Sequence, residues 1–175
     1  MNASANPRSR RRFMTLVKNG AVVENEWVTV DDDTIVPIDQ PAIVSANRWR
    51  NEKERLRQRN VPIGLRLSSD AVVDDIADAL DTIELIALEF PAFTDGRSYS
   101  TARLLRERFG FEGEIRAVGQ ILRDQAQFML RCGFDAFELA PGANVDEWID
   151  GLSEIAIHYQ PAADTRTSTA VLRHR

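Results

Sequence analysis

The stretch of this sequence best equipped for chemistry is Glu89-Phe90-Pro91-Ala92-Phe93-Thr94-Asp95-Gly96-Arg97-Ser98-Tyr99-Ser100. It is long for a strand–helix connection and dense in polar groups, and long connections of this kind are more often functional than short ones. Its chemistry suits an anion. Ser98 or Ser100 can cap the following helix, whose first amides carry partial positive charge. Gly96 lets backbone approach a ligand closely, and Arg97 supplies a fork of donors. Arg103, a few residues into the helix, adds a second guanidinium, and Thr94 and Asp95 complete the polar loop. The plainer alternative is a well-capped helix entry whose arginines are solvated.

A second set is dispersed along the chain. Arg66, Glu89, Arg116 and Glu138 each sit in or at the end of an apolar, strand-like run, and their signs alternate from run to run. Neighbouring strands would stack them into a ladder of charges on one face. Buried charge is costly unless paired, so the ladder implies either a salt-bridge network or a water-filled site. In the second case Glu89 or Glu138 is a general acid/base, and Arg116 with Arg66 holds an anionic substrate.

Other chemistries find little support. Cys132 is the only cysteine, which rules out an internal disulfide or a cluster held by cysteines. Its place beside a helix C-terminus disfavours a thiolate, so it reads as core. The two histidines, His158 and His174, form no zinc pattern, and no metal site is expected. With only Lys18 and Lys53 available, Schiff-base chemistry is not expected. No Walker or dinucleotide glycine pattern occurs, so no cofactor has motif support. A net charge of −5 argues against nucleic acid. The exception is the cluster Arg8, Arg10, Arg11 and Arg12, which reads as a solvated basic tail. Neither a signal peptide nor an apolar run of about 20 residues is present, so the expectation is a cytoplasmic protein without membrane contact.

The elements that must position these groups follow from periodicity. At 175 residues the chain fits one domain with small appendages. Residues 1–12 form the basic tail. Residues 13–33 open with a hairpin: Lys18-Asn19-Gly20 joins Phe13–Val17 to Ala21–Val23, and Trp27–Val30 is expected to extend it. Residues 34–160 alternate strands and helices. Thr34–Ile38 is read as a strand and Asp39 as the N-cap of a helix reaching Arg59. Strands follow at Ile63–Leu67, Ile83–Phe90, Glu114–Val118 and Asp135–Leu139. Between them lie helices at Val72–Leu80 (entered through Ser68-Ser69-Asp70), Tyr99–Phe109 and Ile121–Cys132; a last one carries Val145, Trp148, Ile149, Leu152, Ile155, Ala156 and Tyr159. Residues 161–175 lack periodicity and read as a loose tail. Phe109-Gly110-Phe111 and Cys132-Gly133-Phe134 are alike: glycine ends a helix in the left-handed region, and the phenylalanine packs back on it. Serial βα units predict an α/β fold with a parallel sheet, open or curled into part of a (β/α) barrel. Ligands then bind at the strands' carboxyl ends.

The run Glu89-Phe90-Pro91 with Thr94-Asp95-Gly96-Arg97, Tyr99-Ser100 and Arg103-Leu104-Leu105-Arg106 resembles an uncharacterised bacterial family. The likeness continues through Gly113-Glu114-Ile115-Arg116-Ala117, Asp124-Gln125 and Arg131-Cys132-Gly133-Phe134-Asp135-Ala136-Phe137-Glu138, and covers the chain from about Ile35 onward. The family is a domain of unknown function described as an oxidoreductase of sulfite reduction and encoded beside sulfite reductase. The resemblance implies an oxidoreductase or accessory protein of assimilatory sulfite reduction, with a small anion bound by Gly96, Arg97, Arg103 and Arg116. Redox chemistry needs a carrier, here a flavin or nicotinamide held without a usual motif, or cofactors carried by a partner sulfite reductase. Two alternatives stand beside it. One is a non-redox enzyme acting on a phosphorylated or carboxylated small molecule. The other is a non-catalytic partner of the reductase, docking through the hairpin and basic arm.

Overall fold

The computed structural model describes residues 14–153. The basic arm, Phe13, the distal part of the last expected helix (Ile155, Ala156, Tyr159), both histidines and the C-terminal tail lie outside them.

The chain opens with β1 (Thr15–Lys18) and β2 (Ala21–Val23), paired antiparallel. Asn19 and Gly20, at φ 53° and 74°, make the tight turn that their types favour. Then come β3 (Val28–Thr29), β4 (Ala42–Ser45) and helix α1 (Ala46–Arg57), followed by β5 (Ile63–Leu67) and a 3-10 helix at Val73–Ala79. Next are β6 (Leu85–Phe90), α2 (Arg97–Glu107) and β7 (Glu114–Gly119). A short 3-10 turn (Arg123–Gln125) leads into α3 (Ala126–Cys132), β8 (Ala136–Leu139) and α4 (Val145–Ser153). The strands form one curled sheet, a half-barrel, in the order β2-β1-β8-β7-β6-β5-β4-β3. From β3 to β8 every pairing is parallel, as serial βα units dictate; β1 joins β8 antiparallel. The expected α/β class is therefore found, in its curled form.

Side chains alternate across each strand, and the two faces are covered differently. Leu65, Leu67, Ile86, Leu88, Phe90, Ile115, Ala117, Phe137 and Leu139 point into the main core with Trp49, Leu105, Met129, Phe134 and Trp148 from the helical side. Burial of each large side chain there contributes about 1.5–3 kcal/mol. The opposite face carries a small apolar cluster, Ile43, Leu85, Ala87 and Val118, covered by Trp27. Alternation puts Arg66, Glu89, Arg116 and Glu138 on this second face. The register sets Arg66 beside Ala87, Ala87 beside Arg116, and Leu16 beside Glu138.

Gly133, at φ 101°, ends α3 as the repeated junction predicts. Its N–H donates to the Leu130 carbonyl and that of Phe134 to Met129, while Phe134 is buried.

Five local expectations are corrected. Trp27–Val30 does not extend the hairpin: β3 crosses to the opposite edge of the sheet and pairs parallel with β4. Its partner is set by where Trp27 finds apolar cover, which strand propensity does not encode. Thr34–Ile38 is no strand. Pro37 cannot donate to a ladder, Ile35 and Ile38 are 85% and 88% exposed, and the carbonyls of Asp31 and Thr34 are held by Arg48, those of Pro37 and Gln40 by Arg59. The strand here is Ala42–Ser45, and Ser45 rather than Asp39 caps α1, accepting the Arg48 N–H at 3.0 Å. The segment after β5 is a 3-10 helix whose N-cap, Val72, makes no side-chain cap bond, so Ser68-Ser69-Asp70 does not serve as its cap. Likewise neither Ser98 nor Ser100 caps α2. Gly96 holds that position, and the buried Ser98 hydroxyl donates to the Glu89 carbonyl at 2.7 Å.

Candidate functional site

A cleft of about 390 Å³ opens at the carboxyl ends of β4, β5 and β6, the rim where parallel α/β folds bind ligands. Asp32, Asp70, Asp75 and Glu89 line it against Arg50 and Arg66. Several of these groups are already engaged. Arg50 reaches Asp75 at 3.3 Å, and the Ser45 hydroxyl donates to Asp32 at 2.6 Å. On adjacent strands Arg66 and Glu89 pair at 2.5 Å, with side chains 45% and 31% exposed. With carboxylates in the majority, an anion gains Arg66 only by displacing Glu89. The displaced carboxylate would then sit beside the ligand as an acid or base.

Flanking the cleft, the β6–α2 loop folds into a clamp. Asp95 accepts from Arg97 through Nε (2.9 Å), Nη2 (2.6 Å) and the backbone N–H (3.2 Å), and from the Ser69 hydroxyl at 2.7 Å. Arg97 Nη2 also donates to Ser69 Oγ at 2.8 Å. These bonds, Arg97 first and Ser69 second, hold the Asp95 carboxyl well below the usual carboxylate range; Asp95 in turn raises Arg97. Asp70, on the cleft wall, is lowered by the Ser68 hydroxyl first and also feels the Arg97 charge. A carboxyl depressed in the folded state stabilises above its unfolded pKa and loses that contribution only as pH falls through the folded value. The clamp is therefore expected to stay ionised through the ordinary carboxylate range. A side-chain NMR titration of Asp95 with a midpoint near about 4 would contradict this.

The rest of the ladder forms a separate group. Arg116, 1% exposed, donates from Nε to Glu114 at 2.8 Å and from Nη1 to Asn25 at 3.0 Å, and lies 4.0 Å from Glu138. Lys18 closes on Glu114 at 2.6 Å. The strands thus bring Arg66 to Glu89 and Arg116 to Glu138, and the loop brings Asp95 to Arg97. Among the described residues Arg97 and Arg116 share no partner. Arg103 pairs with Glu107 at 3.0 Å, beside Ser100 in a shallow groove on the surface of α2, and Thr94 and Gly96 are exposed. Of the four proposed ligands, Arg97, Arg103 and Arg116 are engaged with separate partners, and Gly96 adjoins Arg97 at the start of α2. Cys132 is buried, and desolvation pushes its thiol up to about 11, so native protein is expected to resist alkylation at pH 8 while unfolded protein reacts. Rapid labelling of folded protein would refute that.

Sequence reasoning placed Ser69 at the carboxyl end of its strand but missed its bond to Asp95, and it missed the roles of Asn25, Trp27 and Arg106. Asn25 and Trp27 act across the sheet and leave no local signal. Arg106 did leave one: it falls four residues after Ala102 on the buried stripe of α2, an odd place for a charge. Among the described residues no group of three or more His, Cys, Asp or Glu could hold a metal ion, and no helix is long and apolar enough to cross a membrane.

The family model for a bacterial protein of unknown function (DUF934) matches residues 64–170, more than half of the chain. The chain belongs to this family. No curated protein matches it. The DUF934 match begins at Gly64, inside β5, later than the likeness read from Ile35. Arg66, Glu89, the Ser69–Asp95–Arg97 clamp, Arg106 and Arg116 all lie in the DUF934 segment. Ser45 and Asp32 on the cleft wall, together with Lys18, Asn25 and Trp27, come from the chain before it.

Proposed function

We propose that this protein is a cytoplasmic accessory component of sulfite reduction, binding a small anion at the carboxyl rim of the sheet and acting beside a sulfite reductase that carries the electrons. The observation that carries the anion site is the half-exposed Arg66–Glu89 pair in the rim cleft. A ligand can take the Arg66 guanidinium from its carboxylate without unpicking the clamp, and Arg50, paired with Asp75 at 3.3 Å, stands in the same cleft as a second cation. The link to sulfite comes from the likeness in the Glu89–Glu138 motif. The accessory role follows because side chains alone supply no electrons and the sequence has no carrier motif.

Calorimetry with sulfite tests the site. A charge-assisted contact contributes about 1.5–3 kcal/mol, so Arg66→Gln is expected to weaken binding by roughly tenfold or more. Arg97→Gln should change it far less, because that guanidinium is spent on Asp95. Equal losses in both variants, or no sulfite binding with or without reductase, would overturn the assignment. Freshly purified protein should show no visible absorption; a flavin band would replace the accessory role with that of an oxidoreductase. A second reading, a non-redox enzyme on a phosphorylated or carboxylated molecule, is favoured by Glu89 itself, which the same displacement would leave as acid or base. Turnover lost in Glu89→Gln with anion binding retained would select it.

A further inference from the structure

Residues 24–27, between β2 and β3, cross the face of the sheet opposite the main core. Two contacts fasten them there. Trp27 covers Ile43, Leu85, Ala87 and Val118, and the Asn25 side-chain oxygen accepts from Arg116 Nη1 at 3.0 Å. Glu24, Asn25 and Glu26 are exposed. Beneath the segment the register runs from Arg66 through Ala87 to Arg116, so Trp27 stands over the apolar gap between the Arg66–Glu89 and Arg116–Glu138 pairs. The Arg66–Glu89 half is a close ion pair, but the Arg116–Glu138 half is not chemically closed. Among the described residues Arg116 Nη2 makes no hydrogen bond, and Glu138 has no contact with a charged group other than Arg116, at 4.0 Å. The Asn25 oxygen occupies the position on a buried guanidinium that a ligand carboxylate or phosphate oxygen would take.

We propose that residues 24–27 are a strap that lifts from this face, and that the rim site takes, besides a small anion on Arg66, an elongated dianion with one end on Arg66 and the other on Arg116. The idea rests on the rim site assigned above and names the ligand class that fills it; sulfite alone would fill only the Arg66 half. Two strand spacings separate the two arginines, roughly 10 Å, and the apolar Ala87 between them, with Val118 next to Arg116's position on β7, suits a hydrocarbon or sugar spacer rather than a third charge. On binding, the ligand oxygen replaces Asn25 on Arg116, and the spacer takes the place of the indole.

Linear dicarboxylates are the probes, with the full chain as the protein. Affinity by calorimetry is expected to rise by roughly tenfold or more from succinate through adipate to suberate, as the second charge reaches Arg116. Arg116→Met should flatten that series. Asn25→Ala removes the stand-in without touching the ligand, and should tighten suberate severalfold while leaving succinate unchanged; it serves also if the arginine variant fails to fold. Suberate, but not succinate, should speed hydrogen exchange of the amides from Glu24 to Val28. A series without length dependence, a length dependence that survives Arg116→Met, or strap amides indifferent to suberate would each overturn the proposal. Sulfite bound at Arg66 with suberate rejected would overturn this extension and leave the rim site standing; the absence of any anion at Arg66 would remove both.

Discussion

Arg106→Ala is expected to be the most damaging single substitution in the described part of the chain, costing about 3–5 kcal/mol, because three carbonyls lose a charged donor at roughly 1–3 kcal/mol each and a partly exposed ion pair with Asp135 is broken. Arg106 ties both helix–strand junctions together. Its Nε donates to the Gly133 carbonyl at 3.0 Å and its Nη1 to the Gly113 carbonyl at 2.8 Å and to that of Phe111; Nη2 reaches the Asp135 carboxylate, which also accepts the Ile115 N–H at 2.9 Å. Alanine strands three carbonyls and leaves the partly exposed Asp135 carboxylate with the Ile115 N–H alone. Lysine keeps the charge but has no planar fork, so Arg106→Lys should recover less than half of the loss. Urea denaturation measures both. A deficit under about 1 kcal/mol for alanine would show that water replaces the staple and that the junction glycines position the strands unaided.

The second large effect concerns the buried half of the charge ladder. Arg116→Met should cost about 2–4 kcal/mol, somewhat less than a fully stranded pair, because Lys18 continues to compensate Glu114. The Glu114 side chain is only 9% exposed, and its carboxylate loses one of two cationic partners. Replacing both members, Arg116→Met with Glu114→Leu, should restore most of the stability, since an apolar pair of similar volume carries no desolvation cost; Lys18 is exposed enough to stand alone. The double-mutant cycle is therefore expected to give a coupling of about 1–3 kcal/mol. Additive losses would mean that the two residues act independently and that Arg116 is held in place by Asn25 instead.

These two arginines also explain why the ladder and the loop, so alike in the sequence, behave differently in the fold. The alternation of Arg66, Glu89, Arg116 and Glu138 could be read directly, because parallel strands in chain order stack their same-parity residues. What the residues do there could not. Arg66 ends in an open cleft and Arg116 under Trp27, and that contrast depends on a segment from the other edge of the sheet. The loop shows the converse. Its serines, aspartate and arginine have the composition of an anion site, yet Asp95 folds back on Arg97 because Ser69, at the end of β5, lies close enough to complete the clamp. Composition names the available donors and acceptors, and only proximity decides whether they satisfy one another or a ligand.

By itself the sequence determined whatever is written in short-range spacing: the βα alternation and its parallel sheet, the Asn19-Gly20 hairpin, the Gly133-Phe134 junction and the parity of the charged strand residues. Each depends on backbone preferences and side-chain periodicity within about ten residues. The tertiary structure alone decided the rest. It sent β3 to the far edge, turned Thr34–Ile38 into a loop held by Arg48 and Arg59, and split the expected cationic cleft into a rim pair, a clamp and a buried network. The physical reason is that a charge or an indole takes the partner that best offsets its desolvation, wherever in the chain that partner arrives.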